Sequence, residues 1–105
     1  MVTYSLPGKG NMILLGKEKL EKFKKSHSDA RKQTDAWIFE VEHSHWKSPN
    51  DVKGMYPKAS IINKTKTVFD IKGNNYRFCV ITDYDKGVFL VKYALTHEEY
   101  NKITF

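Results

Sequence analysis

The chain has 105 residues, 40% of them apolar and 13% aromatic, which suits one hydrophobic core and argues against intrinsic disorder. Eighteen Lys and Arg against twelve Asp and Glu give a formal net charge of +6, which favours polyanionic partners such as RNA, DNA or an anionic membrane. All but two of these cations are lysine, a composition that suits delocalised attraction to phosphate better than bidentate reading of bases.

The first predicted strand and helix follow a polar N-terminal segment. Residues 1–11 are broken by proline and glycine and are expected to form an N-terminal extension, with Met12 as a candidate translation start. Residues 12–105 are expected to form a single domain. Met12–Leu15 is a short apolar run that predicts a buried strand ending at Gly16. Lys17–His27 has a narrow apolar stripe among lysines, which predicts a helix.

Two further helices are predicted in the middle of the chain. Ser28–Asp29 is a candidate N-cap for a helix that extends to about His43. Ser48 is a candidate cap for a short helix with Pro49 at its first position and its end near Met55. The spacing predicts one buried face on the longer helix, formed by Ala30, Thr34, Trp37, Ile38 and Val41.

From Ala59 the apolar period changes from helical to two. Three segments rich in β-branched and aromatic residues predict antiparallel strands over Thr67–Lys72, Asn75–Asp83 and Gly87–Leu95. Together with the N-terminal strand they predict an α+β domain, in which the N-terminal helices pack on one face of a mostly antiparallel four-stranded sheet.

Hairpin parity assigns the two faces of this sheet. An even turn at Gly73–Asn74 places Asp70 opposite Arg77, and a turn centred on residues 85–86 places Phe78 opposite Tyr93 and Arg77 opposite Ala94. A one-residue bulge in either hairpin would change this register. The face expected to meet the helices comprises Phe69, Ile71, Phe78, Val80, Phe89, Val91 and Tyr93.

The opposite face gathers polar groups near the Gly73 turn. Lys72, Arg77 and His97 are expected there, with Tyr100 three residues beyond His97 in a helical turn. Each has a structural alternative. Arg77 can pair with Asp70, Lys72 can be a solvated turn cation, His97 can simply begin a helix, and Tyr100 can close the edge of the core.

Other candidate sites have weaker support. Cys79 lies on a strand with no adjacent base and is expected to pack rather than react, and it cannot form an internal disulfide. His43 and His45 alternate at a helix end and point apart, so no metal site is expected. No segment is typical of a secretory signal or a membrane span. A cytoplasmic protein without metal or cofactor is expected.

Three motifs carry a family resemblance. They are Trp46–Lys53 with Tyr56–Ala59, then Val68–Arg77, and then Leu95–Asn101 (LTHEEYN). In order and spacing, these motifs resemble those of the HigB toxins of type II toxin–antitoxin pairs, within the RelE superfamily. Asn101 stands where this family usually has Asp. The similarity runs over about residues 12–103.

This resemblance implies a RelE-like fold with a basic concave face, and an mRNA interferase. Such enzymes are endoribonucleases that cut mRNA in the A site of the 70S ribosome, use no metal or cofactor, and are held inactive by a HigA-like helix-turn-helix antitoxin. His97 is then the candidate general acid or base, Arg77 and Lys72 would hold the scissile phosphate, and Tyr100 would stack on a base or orient the phosphate. Candidate contacts to mRNA or rRNA phosphate are Lys58, Lys64, Lys66 and Lys92.

Two other functions remain open. A noncatalytic RNA-binding or ribosome-binding regulatory module could use the same scaffold, because a fold does not determine an activity. A DNA-binding domain has less support, because no predicted helix carries the clustered Arg and Asn typical of a recognition helix.

Overall fold

A computed structural model describes residues 11–105 as a layer of helices packed on a sheet. Helices α1 (Lys17–Ser26) and α2 (Arg31–Glu42) lie on one face of the sheet, and the shorter α3 (Pro49–Met55) follows. The predicted α+β class is confirmed. The predicted N-terminal extension lies, apart from Asn11, outside the described residues. Within residues 11–105, no helix has the length and apolar composition needed to cross a bilayer.

The sheet has five strands and is mixed, so the prediction of four strands was wrong. The strand order is β1-β5-β4-β3-β2, and β1 runs parallel to β5 while all other pairs are antiparallel. The missed strand is β2, which is only four residues long and largely exposed, so its apolar pattern is weak. The strands are β1 (Ile13–Leu15), β2 (Ser60–Asn63), β3 (Lys66–Ile71), β4 (Tyr76–Asp83) and β5 (Val88–Thr96), and helix α4 (His97–Asn101) follows.

Gly16 ends β1 where the chain passes very close to β5. Its φ is +82°, and a Cβ atom at this position would lie 2.7 Å from the main-chain oxygen of Val91. Only glycine fits such a left-handed residue in contact with a neighbouring strand. The predicted end of the first strand at Gly16 is therefore confirmed.

The helices bury the predicted face but begin differently from the prediction. A short 3₁₀ turn, Ser28–Ala30, precedes α2, and the side chains at this end form no capping hydrogen bond. Asp29 instead accepts hydrogen bonds from the Tyr76 hydroxyl at 2.8 and 3.0 Å. Ser48 likewise precedes α3 without a side-chain cap, although Pro49 takes the first helical position as predicted.

The core joins α2 to the centre of the sheet. Trp37 is 1% exposed, and its ring meets those of Phe69 and Phe78 edge to face at 5.2 and 5.1 Å. Edge-to-face aromatic contacts add to the stabilisation from burial alone. This packing fixes the orientation of β3 and β4, and therefore of the side chains on their other face.

The β3–β4 register is as predicted, whereas the β4–β5 register is shifted by a bulge. Asp70 pairs with Arg77 in the first hairpin. In the second, Val80 pairs with Val91, but Cys79 pairs with Tyr93, so Lys92 is an extra residue. The predictions that Phe78 faces Tyr93 and that Arg77 faces Ala94 were wrong: the partners are Ala94 and Leu95, respectively. Tyr93 consequently lies on the face away from the helices.

The face of the sheet opposite the helices, called the outer face below, is partly covered by the end of the chain. The Phe105 ring packs against Tyr93 on β5 with centroids 6.2 Å apart, and the Lys66 ammonium on β3 lies over the same ring. Phe105 therefore lies across β4, where Cys79 is fully buried. The outer face is basic only in places, in contrast to the open basic face that the resemblance implies.

Candidate active site

Arg77 is the central side chain of the candidate site. It lies on β4 with its side chain on the outer face, directly across from Asp70 on β3. Its Nε lies 3.3 Å from Oδ1 of Asp70, and the Arg77 side chain is only 11% exposed. The carboxylate therefore fixes the direction of the guanidinium, and the structural role that the sequence left open for this pair is present.

The remaining nitrogens of Arg77 are also engaged. Nη1 donates to the main-chain oxygens of Asn74 at 2.7 Å and Tyr76 at 3.2 Å. Nη2 contacts Oδ1 of Asn74 at 3.4 Å and Nδ1 of His97 at 2.9 Å. Together with the Asp70 contact, these four contacts make five, which is the number of N–H groups in a guanidinium. Sequence reasoning treated Asn74 only as a turn residue, and its position three residues before Arg77 was the available signal.

His97 is placed by the start of α4. The Thr96 hydroxyl accepts a hydrogen bond from the Glu99 N–H at 3.1 Å, and Oε1 of Glu99 accepts one from the Thr96 N–H at 2.9 Å. This capping box begins the helix at His97. The His97 N–H also donates to the Asn75 main-chain oxygen at 2.8 Å. The imidazole is thus exposed on a well-fixed backbone.

The contact with Arg77 defines the hydrogen-bonding state of this imidazole. A guanidinium can only donate hydrogen bonds, so Nδ1 of His97 must accept. Nδ1 is therefore unprotonated in this arrangement. Tyr100 lies one helical turn further on, with its ring centroid 5.7 Å from the Arg77 guanidinium carbon, which is within cation–π range. The structure therefore brings together three of the four predicted catalytic residues.

The fourth, Lys72, lies apart from them. It occupies the β3–β4 turn with a φ of +57°, and its N–H donates to the Gln33 side chain at 2.6 Å. It lines a depression with residues of the 3₁₀ turn and of α2, on the helical side of the sheet. The prediction placed Lys72 beside Arg77 by assuming that strand alternation continues to residue 72. The positive φ ends this alternation at Lys72.

The four candidate phosphate-binding lysines are dispersed. Lys66 pairs with Ile81, four residues along β4 from Arg77 or about 13 Å, and its ammonium donates to the Phe105 main-chain oxygen at 2.9 Å. Lys92 is the exposed bulge residue, with its ammonium 6.0 Å from the Tyr93 ring centroid. Lys58 and Lys64 are exposed near the two ends of β2. Lys58 also lines a depression with Gly73 and with Asp70, the ion-pair partner of Arg77.

A depression of about 370 Å³ opens beside His97, and a second histidine lines it. His27, at the end of α1, packs against the Phe23 and Tyr76 rings with both centroid distances 4.8 Å, and those two rings also meet each other edge to face. Hydrogen bonding to Asp29 raises the pKa of Tyr76, so its hydroxyl stays protonated and keeps this ring in place. Sequence reasoning placed His27 only as a helix end, because its approach to His97 depends on tertiary packing.

Cys79 and the remaining histidines are not part of this site. Burial raises the pKa of the Cys79 thiol to about 12, against the opposing effect of the Arg77 charge, which fits the predicted packing role. His43 stacks on Phe39 with centroids 4.0 Å apart. Among residues 11–105, no group of three or more His, Cys, Asp or Glu is arranged to hold a metal.

Comparison with known proteins identifies the family of the chain. A family model described as HigB_toxin, a RelE-like toxic component of a toxin–antitoxin system, matches residues 30–103, which include Arg77, His97 and Tyr100. No curated protein gives a match to the chain. The family implies an antitoxin as partner. Because the match covers well over half of the 105 residues, the chain belongs to the HigB_toxin family of RelE-like toxins of toxin–antitoxin systems.

Proposed function

We propose that the protein is a metal-independent mRNA endonuclease that acts on messages in the ribosomal A site and thereby inhibits translation. The observation that carries this proposal is the contact between Nη2 of Arg77 and Nδ1 of His97, with the Tyr100 ring beside it at one exposed end of the sheet. A guanidinium, an imidazole and an aromatic ring in contact are suited to a ribose–phosphate linkage and its adjacent base.

RNA carries its own nucleophile, the ribose 2′-hydroxyl. Its attack on the adjacent phosphate gives a 2′,3′-cyclic phosphate and a 5′-hydroxyl, and it requires a base, stabilisation of the phosphorane charge and a proton for the leaving oxygen. Arg77 is the cation best placed to stabilise the phosphorane. His97 is the proposed proton acceptor, because a neutral imidazole has one ring nitrogen that accepts a proton.

Binding of phosphate must rearrange the contacts of Arg77. Asp70 holds Nε, and two main-chain oxygens hold Nη1. The contacts of Nη2 are a long one of 3.4 Å to Oδ1 of Asn74 and one to the exposed His97. A phosphate oxygen that replaces these Nη2 partners leaves the guanidinium anchored. It also frees the Nδ1 lone pair of His97 for the 2′-hydroxyl proton.

The charge of the chain supports a ribosomal substrate. A net charge of +6 attracts the phosphate-rich ribosome, with Lys58, Lys64 and Lys92 as exposed contacts. Lys66 becomes available only when it leaves the Phe105 oxygen. Lys72 would contact RNA that passes the helical side of the β3–β4 turn. A HigA-like antitoxin is the proposed inhibitor.

Induced expression of the wild type and of His97→Ala tests this function, with His45→Ala as a control at another exposed histidine. We expect growth arrest and mRNA cut within codons for the wild type and for His45→Ala, and neither effect for His97→Ala. Equal toxicity and cleavage in all three proteins would remove His97 from the mechanism. Growth arrest with intact mRNA would instead support a noncatalytic ribosome-binding module.

A further inference from the structure

The proposed reaction needs two proton transfers, one to a base and one from an acid. A single histidine cannot be both the base and the acid in the same step. The base removes the 2′ proton while an acid protonates the departing 5′ oxygen. Because Nδ1 of His97 accepts a hydrogen bond from Arg77, its lone pair is free of a proton before the reaction, as a base requires. The acid must therefore come from another group near His97.

The depression beside His97 limits the choice of acid. Besides His97 its lining residues are His27, Asn74, Asn75, Tyr76, Thr96 and Glu98. The Tyr76 hydroxyl already donates to Asp29, which raises the pKa of Tyr76, and a carboxylate accepts hydrogen bonds and does not donate them. Amides and a threonine hydroxyl are too weakly acidic. Among these lining residues the His27 imidazole is the remaining candidate, because a protonated imidazole carries two N–H donors.

His27 is held in a defined position at the border of this depression. Its ring packs against those of Phe23 and Tyr76, and Tyr76 is itself fixed by Asp29. The residue is partly exposed, so solvent can return a proton after each turnover. The depression of about 370 Å³ is within the size range of small-molecule sites, so a sugar–phosphate unit can lie between the two imidazoles.

Charged groups of both signs surround His27. His27 also lines a second depression, together with Lys19 and Lys22 of α1 and Glu99 of α4. Glu98 of α4 borders the depression shared with His97. The lysines can attract the phosphate of a neighbouring nucleotide.

We infer that His27 is a second catalytic residue, the general acid of the proposed RNA cleavage, an inference that rests on the proposed function. The 2′ oxygen forms a bond to phosphorus as the bond from phosphorus to the 5′ oxygen breaks. The 2′ proton passes to Nδ1 of His97, and a ring proton of cationic His27 passes to the departing 5′ oxygen. Solvent then restores both imidazoles.

The test uses His27→Phe, which keeps an aromatic ring against Phe23 and Tyr76 and removes the proton donor. His43→Phe is a matched control, because His43 also ends a helix and stacks on a phenylalanine four residues earlier. We expect His27→Phe to cleave a ribosome-bound message about a hundredfold or more slowly than the wild type, with the control unchanged. His27→Gln is the second variant if His27→Phe fails to melt cooperatively.

A substrate with sulfur in place of the bridging 5′ oxygen separates acid catalysis from a structural role, because a thiolate leaves without a proton. We expect His27→Phe, or His27→Gln, to cut this substrate within about tenfold of the wild-type rate. Two results would overturn the role of His27 and leave the proposed nuclease function standing. The variant could cut normal RNA at the wild-type rate, or its rate could fail to recover on the sulfur substrate. If the wild type cuts neither substrate, the proposed nuclease function fails as well.

Discussion

Replacing Arg77 with lysine keeps the positive charge and removes the geometry on which the site depends. The guanidinium reaches Asp70, Asn74, Tyr76 and His97 at the same time, through nitrogens that point in different directions. An ammonium group has three donors on one atom and cannot reach all of these partners. We therefore expect Arg77→Lys to separate the role of charge from the role of orientation.

The structure allows the two effects of Arg77→Lys to be compared. Three of the Arg77 contacts, at 2.7, 2.9 and 3.2 Å, have ordinary hydrogen-bond lengths. At about 1 kcal/mol each, loss of two of them lowers the free energy of unfolding by about 2 kcal/mol, less where water takes the place of the partner. Loss of an oriented donor to the transition state costs more, about 3–4 kcal/mol or a rate factor of about 10²–10³.

Two measurements on the same protein test this reasoning. Urea unfolding gives the stability change, and single-turnover cleavage of a ribosome-bound message gives the rate. Asp70→Asn is the matched control, because it keeps the shape of the partner and leaves the Nη contacts in place. We expect its rate to stay within about tenfold of the wild type, since an asparagine oxygen can still accept from Nε and the contacts of Nη1 and Nη2 still orient the guanidinium. A folded Arg77→Lys protein with the wild-type rate would refute the proposed role of the guanidinium.

Three further predictions concern the scaffold. Trp37→Ala should lower the free energy of unfolding by about 3–5 kcal/mol in urea titrations, because it opens a cavity between α2 and the sheet; a change below about 1 kcal/mol would contradict this packing. Cys79 should resist alkylation in the native protein at pH 8 and react once unfolded. Because its pKa is higher in the folded state, the wild type should lose stability from pH 9 upwards relative to Cys79→Val, and parallel pH curves would contradict the shift. Deleting Lys92 should lower the free energy of unfolding less than deleting Ala94, because the bulge residue Lys92 has no strand partner whereas Ala94 pairs with Phe78; equal urea midpoints for the two variants would contradict the observed register.

The first hairpin and its site pair could be predicted from the sequence. A short turn at Gly73 and strict alternation on both strands leave one register that buries the apolar side chains, and Asp70 opposite Arg77 follows from it. His97 also lies near Arg77 as predicted, although the second register was off by one residue. The end of β5 and the start of α4 still adjoin the same end of β4.

The bulge and the turn geometry could not be predicted. The segment around Lys92 alternates acceptably with or without an extra residue, and packing of Tyr93 under Phe105 favours the bulged register in the fold. The positive φ of Lys72 is uncommon for a non-glycine residue, so no local pattern indicated it. His27 joins the site only because α1 packs against the end of β4, a long-range contact without a sequence signature.

The central claim is that the ribose 2′-hydroxyl of a message attacks its own phosphate beside Arg77 and His97. Replacing a single ribose at the mapped cleavage position with deoxyribose, in a message bound to the ribosome with the protein, tests this claim most directly. The account predicts that cleavage stops at that position, and that the unmodified message yields a 2′,3′-cyclic phosphate and a 5′-hydroxyl end. Undiminished cleavage at the deoxyribose position would contradict it.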